Sequence, residues 1–284
     1  MTRTATQAAP DRAEDHPFDL ATALQPDGAG GCLAQAAASY WGFVGPFGGA
    51  TAGTLMRALL QHPGRRGDPI AFTVNYAAPV EAGAYRIALR LARATRSTQH
   101  WSLEVLQGDD PAPRATATAI LAERRRTWSH QVAAPPAMQP REALPEYRMD
   151  PAMPWVDRYR FHFDTGAPIS GPEPLAEPAP AFSQMWLSDA PERVVDLCSL
   201  AAMADAFFGR IFHVLGTIVP FGTVSMTSYM HVSAAELADL ACDRVIGRVD
   251  SRRFHLSYGD HSAEHWSPDG QLLATSHQIA CFKA

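Results

Sequence analysis

Few residues of this chain place a reactive side chain where the setting would change its chemistry, and Asp205 is the clearest. It sits within SLAAMADAFFGRIF, Ser199 to Phe212, where most neighbours are Leu, Ala, Met, Phe or Ile. An unpaired carboxylate in such surroundings is strongly disfavoured, so one is kept there only if hydroxyl or amide partners satisfy it. Burial also raises a carboxyl pKa towards the range of a useful general base. The same residue suits an ordinary structural acid bonded to a neighbouring strand. The apolar run alone leaves both readings open.

Other groups carry weaker signals. His261 and His265, in YGDHSAEHW, are four apart, a spacing that on a helix would make two metal ligands. Turn residues and strand patterns flank them, so they read as solvated loop histidines and no metal is expected. The start of the first apolar helix, Phe47-Gly48-Gly49, would expose N–H groups able to polarise a carbonyl, or its glycines serve only a tight turn and close packing. The run ERRRTW, Glu123 to Trp128, reads as a solvated strand end, with phosphate contact as the alternative. No GxSxG, GxGxxG or P-loop occurs, so a serine elbow and nucleotide-phosphate sites have no support.

Composition bounds the rest. The chain has 284 residues, 46% hydrophobic and 19% charged, enough for a substantial core, and its net charge of −5 gives no basic footprint for nucleic acid. Cys32, Cys198, Cys242 and Cys281 form no CxxC pair and lie in apolar settings, as reduced, packed thiols of a cytoplasmic protein would. The first residues lack a signal-peptide pattern, and no apolar run is long enough for a membrane span. Residues 1–17 read as a mobile tail.

The elements that must position these groups fall into two halves with one grammar. A proline-rich stretch, residues 129–154, reads as a linker. Before it, in 18–128, a helix at about Ala50 to Gln61 precedes IAFTVNYAAPV, AYRIALRLARAT, QHWSLEVLQ and RATATAILAERR. After it, in 155–284, WVDRYRFHFD alternates as a strand, and a helix from near Arg193 to Phe212 carries Asp205 in its middle. Then come GTVSMTSYMHV, LACDRVIGRVD, RFHLSYGDHS and LLATSHQIACF, with SPDGQ as a hairpin turn between the last two. Helix plus antiparallel strands, repeated once, predicts a duplicated α+β unit. Gly49, Ala50, Ala52 and Gly53 would let a curved sheet approach the first helix closely, the logic of a hotdog domain.

GPFGGATAGTLMRAL (Gly45 to Leu59), AFTVNYAAPV, QMWLSD (Gln184 to Asp189) and LAAMAD resemble, in order and spacing, segments of the acyl-CoA thioesterase II family of double-hotdog enzymes. The resemblance spans the chain from about residue 18. It implies two fused hotdogs whose sheets join edge to edge, and hydrolysis of an acyl-CoA to free acid and coenzyme A within fatty acid metabolism. In that family an Asp on the second helix, a Thr on the next strand and a Gln on the last strand orient a water. Asp205 and Gln278 match the first and third. Aligning SYMHV places Thr223 second, with Ser225 and then Thr227, expected on the same strand face, as substitutes. The interval from Asp205 is shorter than the family's, and Ser225 replaces its usual acidic residue.

Plainer accounts stand beside these roles: Gln278 with Ser276 and Ala280 as the exposed face of an edge strand, Thr223 as a β-propensity choice. No Asp or Glu lies between Asp27 and Asp68, so the first half lacks an equivalent site, though Gly48 and Gly49 could bind substrate there. Hotdog hydratases carry an Asp-x4-His pair near their helix; that spacing occurs at Asp157/His162, Asp260/His265 and Asp11/His16, none on a helix pattern. The resemblance thus implies a thioesterase with no cofactor or metal, an acyl-CoA partner and further homo-oligomerisation. A non-catalytic acyl-thioester-binding protein and an enoyl-CoA hydratase are the alternatives.

Overall fold

The computed structural model describes residues 15–149, 153–171, 173–175 and 177–284. The expected tail lies outside them as far as residue 14. The described helices are α1 (Pro17–Ala21), α2 (Gly48–Gln61), α3 (Leu197–Met203), α4 (Arg210–Leu215) and α5 (Ala234–Leu240). The first-half strands are β1 (Gln25–Pro26), β2 (Cys32–Ala36), β3 (Asp68–Tyr76), β4 (Gly83–Ala94), β5 (Thr98–Leu106) and β6 (Ala115–Ala122). The second half supplies β7 (Tyr159–Thr165), β8 (Ser183–Asp189), β9 (Phe221–Met230), β10 (Val245–Asp250), β11 (Phe254–His255), β12 (Tyr258–Trp266) and β13 (Leu272–Phe282).

Period-2 patterning sets which strand face turns inward. On β6, Ala115, Ala117, Ala119 and Leu121 are buried, and on β7 Tyr159, Phe161 and Phe163 face the core while Arg160 is exposed. All strands join one antiparallel sheet in the order β1-β2-β4-β5-β6-β3-β9-β13-β12-β10-β8-β7, with β11 paired to β12. The two halves repeat the same path: β2-β4-β5-β6-β3 reappears as β8-β10-β12-β13-β9. They meet edge to edge at β3 and β9, from Ala71 opposite Tyr229 to Asn75 opposite Ser225, which removes two exposed edges. This is a double hotdog.

Helix α2 is buried on nearly every side and ends at His62, extended before Pro63 as the pre-proline restriction requires. Its small residues serve a different contact from the one expected. A Cβ on Gly49 would lie 2.3 Å from the Ala202 carbonyl oxygen, and one on Gly53 3.2 Å from that of Cys198. The glycines therefore admit α3, running antiparallel alongside, rather than the sheet.

The long second helix predicted from Arg193 to Phe212 is two short helices, and Asp205 lies in the break between them, not inside a helix. After Met203 the chain tightens, with Asp205 N–H donating to Ala202 O at 3.1 Å and Ala206 N–H to Met203 O at 3.0 Å. The irregular stretch that follows sends adjacent rings into separate parts of the core. Phe207 packs 5.2 Å from His265, and Phe208 lies 5.2 Å from both Tyr147 and Phe161. The linker is also packed down. Gln184 and Trp186 donate to the carbonyls of Ala137 and Gln139, and Tyr147 donates to Ile169 O at 2.7 Å.

Candidate active site

Three side chains from three elements converge just past the C-terminal end of α3. Thr223 Oγ1, on β9, lies 3.0 Å from Asp205 Oδ1 and 2.9 Å from Gln278 Oε1, on β13. One hydroxyl carries one proton and cannot donate to both oxygens. Turning the Gln278 amide end for end lets its NH2 donate to Thr223 while Thr223 donates to Asp205. The result is a directed chain, Gln278 to Thr223 to Asp205.

Register explains why Thr223 is the hydroxyl here. Ser225 pairs with Ile279, but Thr223 pairs with Ala280, so Val224 is an extra residue in β9. A bulge of this kind reverses side-chain parity. It turns Thr223 to the inner face with Ala280 and Gln278, and leaves Ser225 and Thr227 on the outer face. There Ser225 donates to Asn75 Oδ1 at 2.8 Å, and Thr227 meets Thr73 at 2.9 Å. The expectation that all three hydroxyls share one face is therefore corrected. Gln278 is likewise not on an edge strand: β13 lies between β9 and β12, and Ser276, Gln278 and Ala280 are buried.

Asp205 is 8% exposed. Burial pushes its carboxyl up to about 7, partly opposed by hydrogen bonds from the Thr223 hydroxyl and the Gly49 N–H. That N–H belongs to the first turn of α2, whose positive end favours a carboxylate. A Cβ on Gly48 would lie 2.6 Å from Asp205 Oδ2, so glycine is what allows the helix end this close. Of the two glycines expected to bind substrate, Gly49 thus turns its N–H to Asp205, and Gly48 lines the adjoining cavity.

That cavity has a volume of about 320 Å³, within the range of small-molecule sites. Its walls are the turn at 42–47, the segment 76–80 after β3, the stretch 207–209 and the start of β9, so both halves build it. Among the described residues Asp205 is the one charged side chain lining it, and the rest are mainly aromatic or small. Cys281, expected to be packed, is exposed at this cavity. The ERRRTW run lies at the opposite end of β6. There Arg124 donates to Met230 O at 2.6 Å, and the eight residues of β6 put about 25 Å between it and the cavity end.

The histidines are also placed differently from the expectation. His261 and His265 lie on β12, not in a solvated loop, and are 1% and 0% exposed. Four residues apart on a strand, they share the inner face. Burial pushes them down to about 3 and about 4. Among the described residues no cluster of three or more metal-ligating side chains occurs. No Asp–His pair forms either: Asp260 and His265, an odd number apart on one strand, face opposite sides, and Asp157 precedes β7, which carries His162. Asp11 lies outside the described residues.

Two groups went unread in the sequence. Tyr76, at the end of β3, lines the cavity, yet in TVNYAAPV it reads as one more strand aromatic. Asp189 on β8 is a second buried acid, pushed up to about 7 by burial, away from the cavity lining.

A family model of the acyl-CoA thioesterase C-terminal domain matches residues 132–282, and its N-terminal counterpart matches residues 37–122. Among solved structures, the chain is similar to a conserved protein of unknown function with a hot dog fold from Alicyclobacillus acidocaldarius. Identity is 36% over 95% of this chain and 98% of that chain, with a TM-score of 0.87. Acyl-CoA thioesterase II TesB2 from Mycobacterium marinum shares the fold at 14% identity, 94% and 98% coverage and a TM-score of 0.70. The dehydratase domain of RzxB from Pseudomonas fluorescens shares it at 12% identity, 95% and 99% coverage and a TM-score of 0.55. Comparison with curated proteins gives no significant match.

Proposed function

Because this chain belongs to the acyl-CoA thioesterase family, we propose that it hydrolyses an acyl-CoA by water attack, with Asp205 as general base. The observation that carries this is the convergence of Asp205, Thr223 and Gln278 beside an apolar cavity, despite their wide separation in sequence. The acyl group enters the cavity, and its polar carrier stays outside, since no cation lines the interior among the described residues. Asp205 takes a proton from water as the water oxygen bonds to the thioester carbon. The C–S bond then breaks, the proton passes from Asp205 to the departing sulfur, and the products are a thiol and a carboxylic acid, which releases its own proton to solvent. Thr223 and Gln278 fix the orientation of the carboxylate and water, a positional contribution. The Gly48 N–H, at the first turn of α2, polarises the carbonyl as charge develops on its oxygen. With Asp205 near 7, the base is half ionised at neutrality, a good match for proton transfer. The four free cysteines suit a reducing cytoplasm, and among the described residues no helix is long and apolar enough to cross a membrane.

The test is thiol release over saturated acyl-CoAs from acetyl to palmitoyl, with an enoyl-CoA alongside. Free thiol with no loss of the enoyl double bond supports hydrolysis. Ligand binding without thiol release would favour a binding protein, and double-bond hydration would favour a hydratase.

A further inference from the structure

Resting on the reading of Asp205 as general base, we propose that Tyr76 is a positioning residue that tunes Asp205 through the peptide joining Gly48 and Gly49. Tyr76 Oη donates to the Gly48 carbonyl oxygen at 2.8 Å. That carbonyl and the Gly49 N–H belong to one planar peptide unit, and the Gly49 N–H favours the charged form of the Asp205 carboxylate, which lies against this peptide. The groups follow one another in one direction: tyrosine hydroxyl, peptide carbonyl, peptide N–H, carboxylate. A donor on the carbonyl draws electrons from the peptide and strengthens its N–H as a donor, because linked hydrogen bonds polarise one another. The point where a Gly48 Cβ would sit is 2.6 Å from Asp205 Oδ2 and 3.2 Å from Tyr76 Cζ. Tyrosine and carboxylate therefore flank the same bare glycine, and a side chain there would displace one of them.

The arrangement joins the halves. Asp205, Thr223 and Gln278 come from the second, while Tyr76 on β3 and the glycines of α2 come from the first. The surroundings also leave this bond room to matter. Among the described residues, no charged side chain is close enough to perturb Asp205. The titratable groups that feel it are the hydroxyls of Tyr76 on β3 and Tyr159 on β7, both kept neutral by burial. From β9 and β13 it meets Thr223 and, through it, Gln278. His265 on β12 meets the Met203 carbonyl instead and is itself neutral. With no cation nearby, neutral donors are what hold the carboxylate charged.

The test replaces the hydroxyl two ways. Tyr76→Phe removes it, and 3-fluorotyrosine inserted at position 76 makes it a stronger donor. Two quantities are followed: the acidic limb of kcat/KM for octanoyl-CoA, and the Asp205 carboxyl titration by carbon-13 NMR in ligand-free protein. Tyr76→Phe should move both up by about half a unit, and fluorotyrosine should move both down. A purely structural tyrosine would alter the melting temperature and leave both titrations in place, which would overturn the proposal. Should Tyr76→Phe fail to fold, the fluorotyrosine protein decides alone. If Asp205→Asn is inactive but neither titration moves, this inference falls and the general-base reading stands. If Asp205→Asn turns over normally, the general-base reading falls, and the NMR titration still judges the coupling.

Discussion

At the residue scale the site turns on one carboxylate and the hydroxyl that faces it. The bulge at Val224 gives that hydroxyl an identity that can be tested. Thr223 faces Asp205 across 3.0 Å, whereas Ser225 spends its proton on Asn75 on the opposite face of the sheet. Thr223→Val keeps the branched shape and removes the donor, so kcat for thiol release should drop by about tenfold or more. Ser225→Ala should leave kcat within about twofold, since surface changes of this type are small. Asp205 could be singled out in the sequence because a lone acid in an apolar run needs a reason. Thr223 could not be separated there from Ser225 and Thr227, because parity on an unbulged strand gives all three one face, and nothing in GTVSMTSYM announces an extra residue. Tyr76 was silent for a similar reason, since its role depends on a backbone carbonyl from another element.

At the element scale the site depends on two helix ends meeting. The N-terminal turn of α2 and the end of α3 lie side by side, and Gly49 makes the approach possible. Gly49→Ala puts a Cβ 2.3 Å from the Ala202 carbonyl oxygen, a backbone atom that cannot swing aside. The helices must part, which should destabilise the fold by about 1–3 kcal/mol, the usual scale of overpacking. The same movement draws the Gly49 N–H from Asp205. Thermal melts and thiol release should therefore both fall, whereas a glycine important only for turn geometry would affect the melts alone. The strands, the apolar helix α2 and the SPDGQ turn could be read from periodicity and turn chemistry. The break after Met203 could not, because ADAFFGR has no proline and a composition compatible with helix. Burial of both phenylalanines in different parts of the core decides it, and that is a tertiary effect.

At the scale of the whole molecule, the edge-to-edge union of β3 and β9 places the cavity between the halves, so neither builds it alone. Packing this core also buries titratable groups that set how stability responds to pH. Asp205 and Asp189 are both raised to about 7 from 3.8, so between these values they hold protons when folded and release them on unfolding. Their stabilising contribution is lost as pH rises. His213, His261 and His265 are lowered to about 4, 3 and 4 from 6.5, so below 6.5 they take up protons on unfolding. Their contribution is lost as pH falls. Near pH 5.5 three groups take up protons against two that release them, leaving about one net proton bound on unfolding. Stability should therefore rise by about 1 kcal/mol from pH 5 and level off near pH 6.5, where the half-protonated histidines of the unfolded chain no longer outweigh the carboxyls, a profile followed by denaturant unfolding at each pH. A falling slope would mean that the carboxyls outweigh the histidines. The duplicated α+β plan was legible in the repeated order of elements. Burial of His261 and His265 was not, because in YGDHSAEHW polar residues separate them and hide the inward face of the strand.

The measurement that bears most directly on the central claim is thiol release by Asp205→Asn, set beside its melting temperature at pH 8. Asparagine keeps the shape and can still hydrogen-bond, but it cannot accept a proton from water. If Asp205 is the base, kcat should fall by about a hundredfold or more, with acyl-CoA affinity changed far less. Removing a buried charge whose pKa is raised to about 7 should leave the melting temperature at pH 8 equal or higher. A folded Asp205→Asn protein with normal turnover per molecule and a lower melting temperature would contradict the account, and would mark Asp205 as a structural acid.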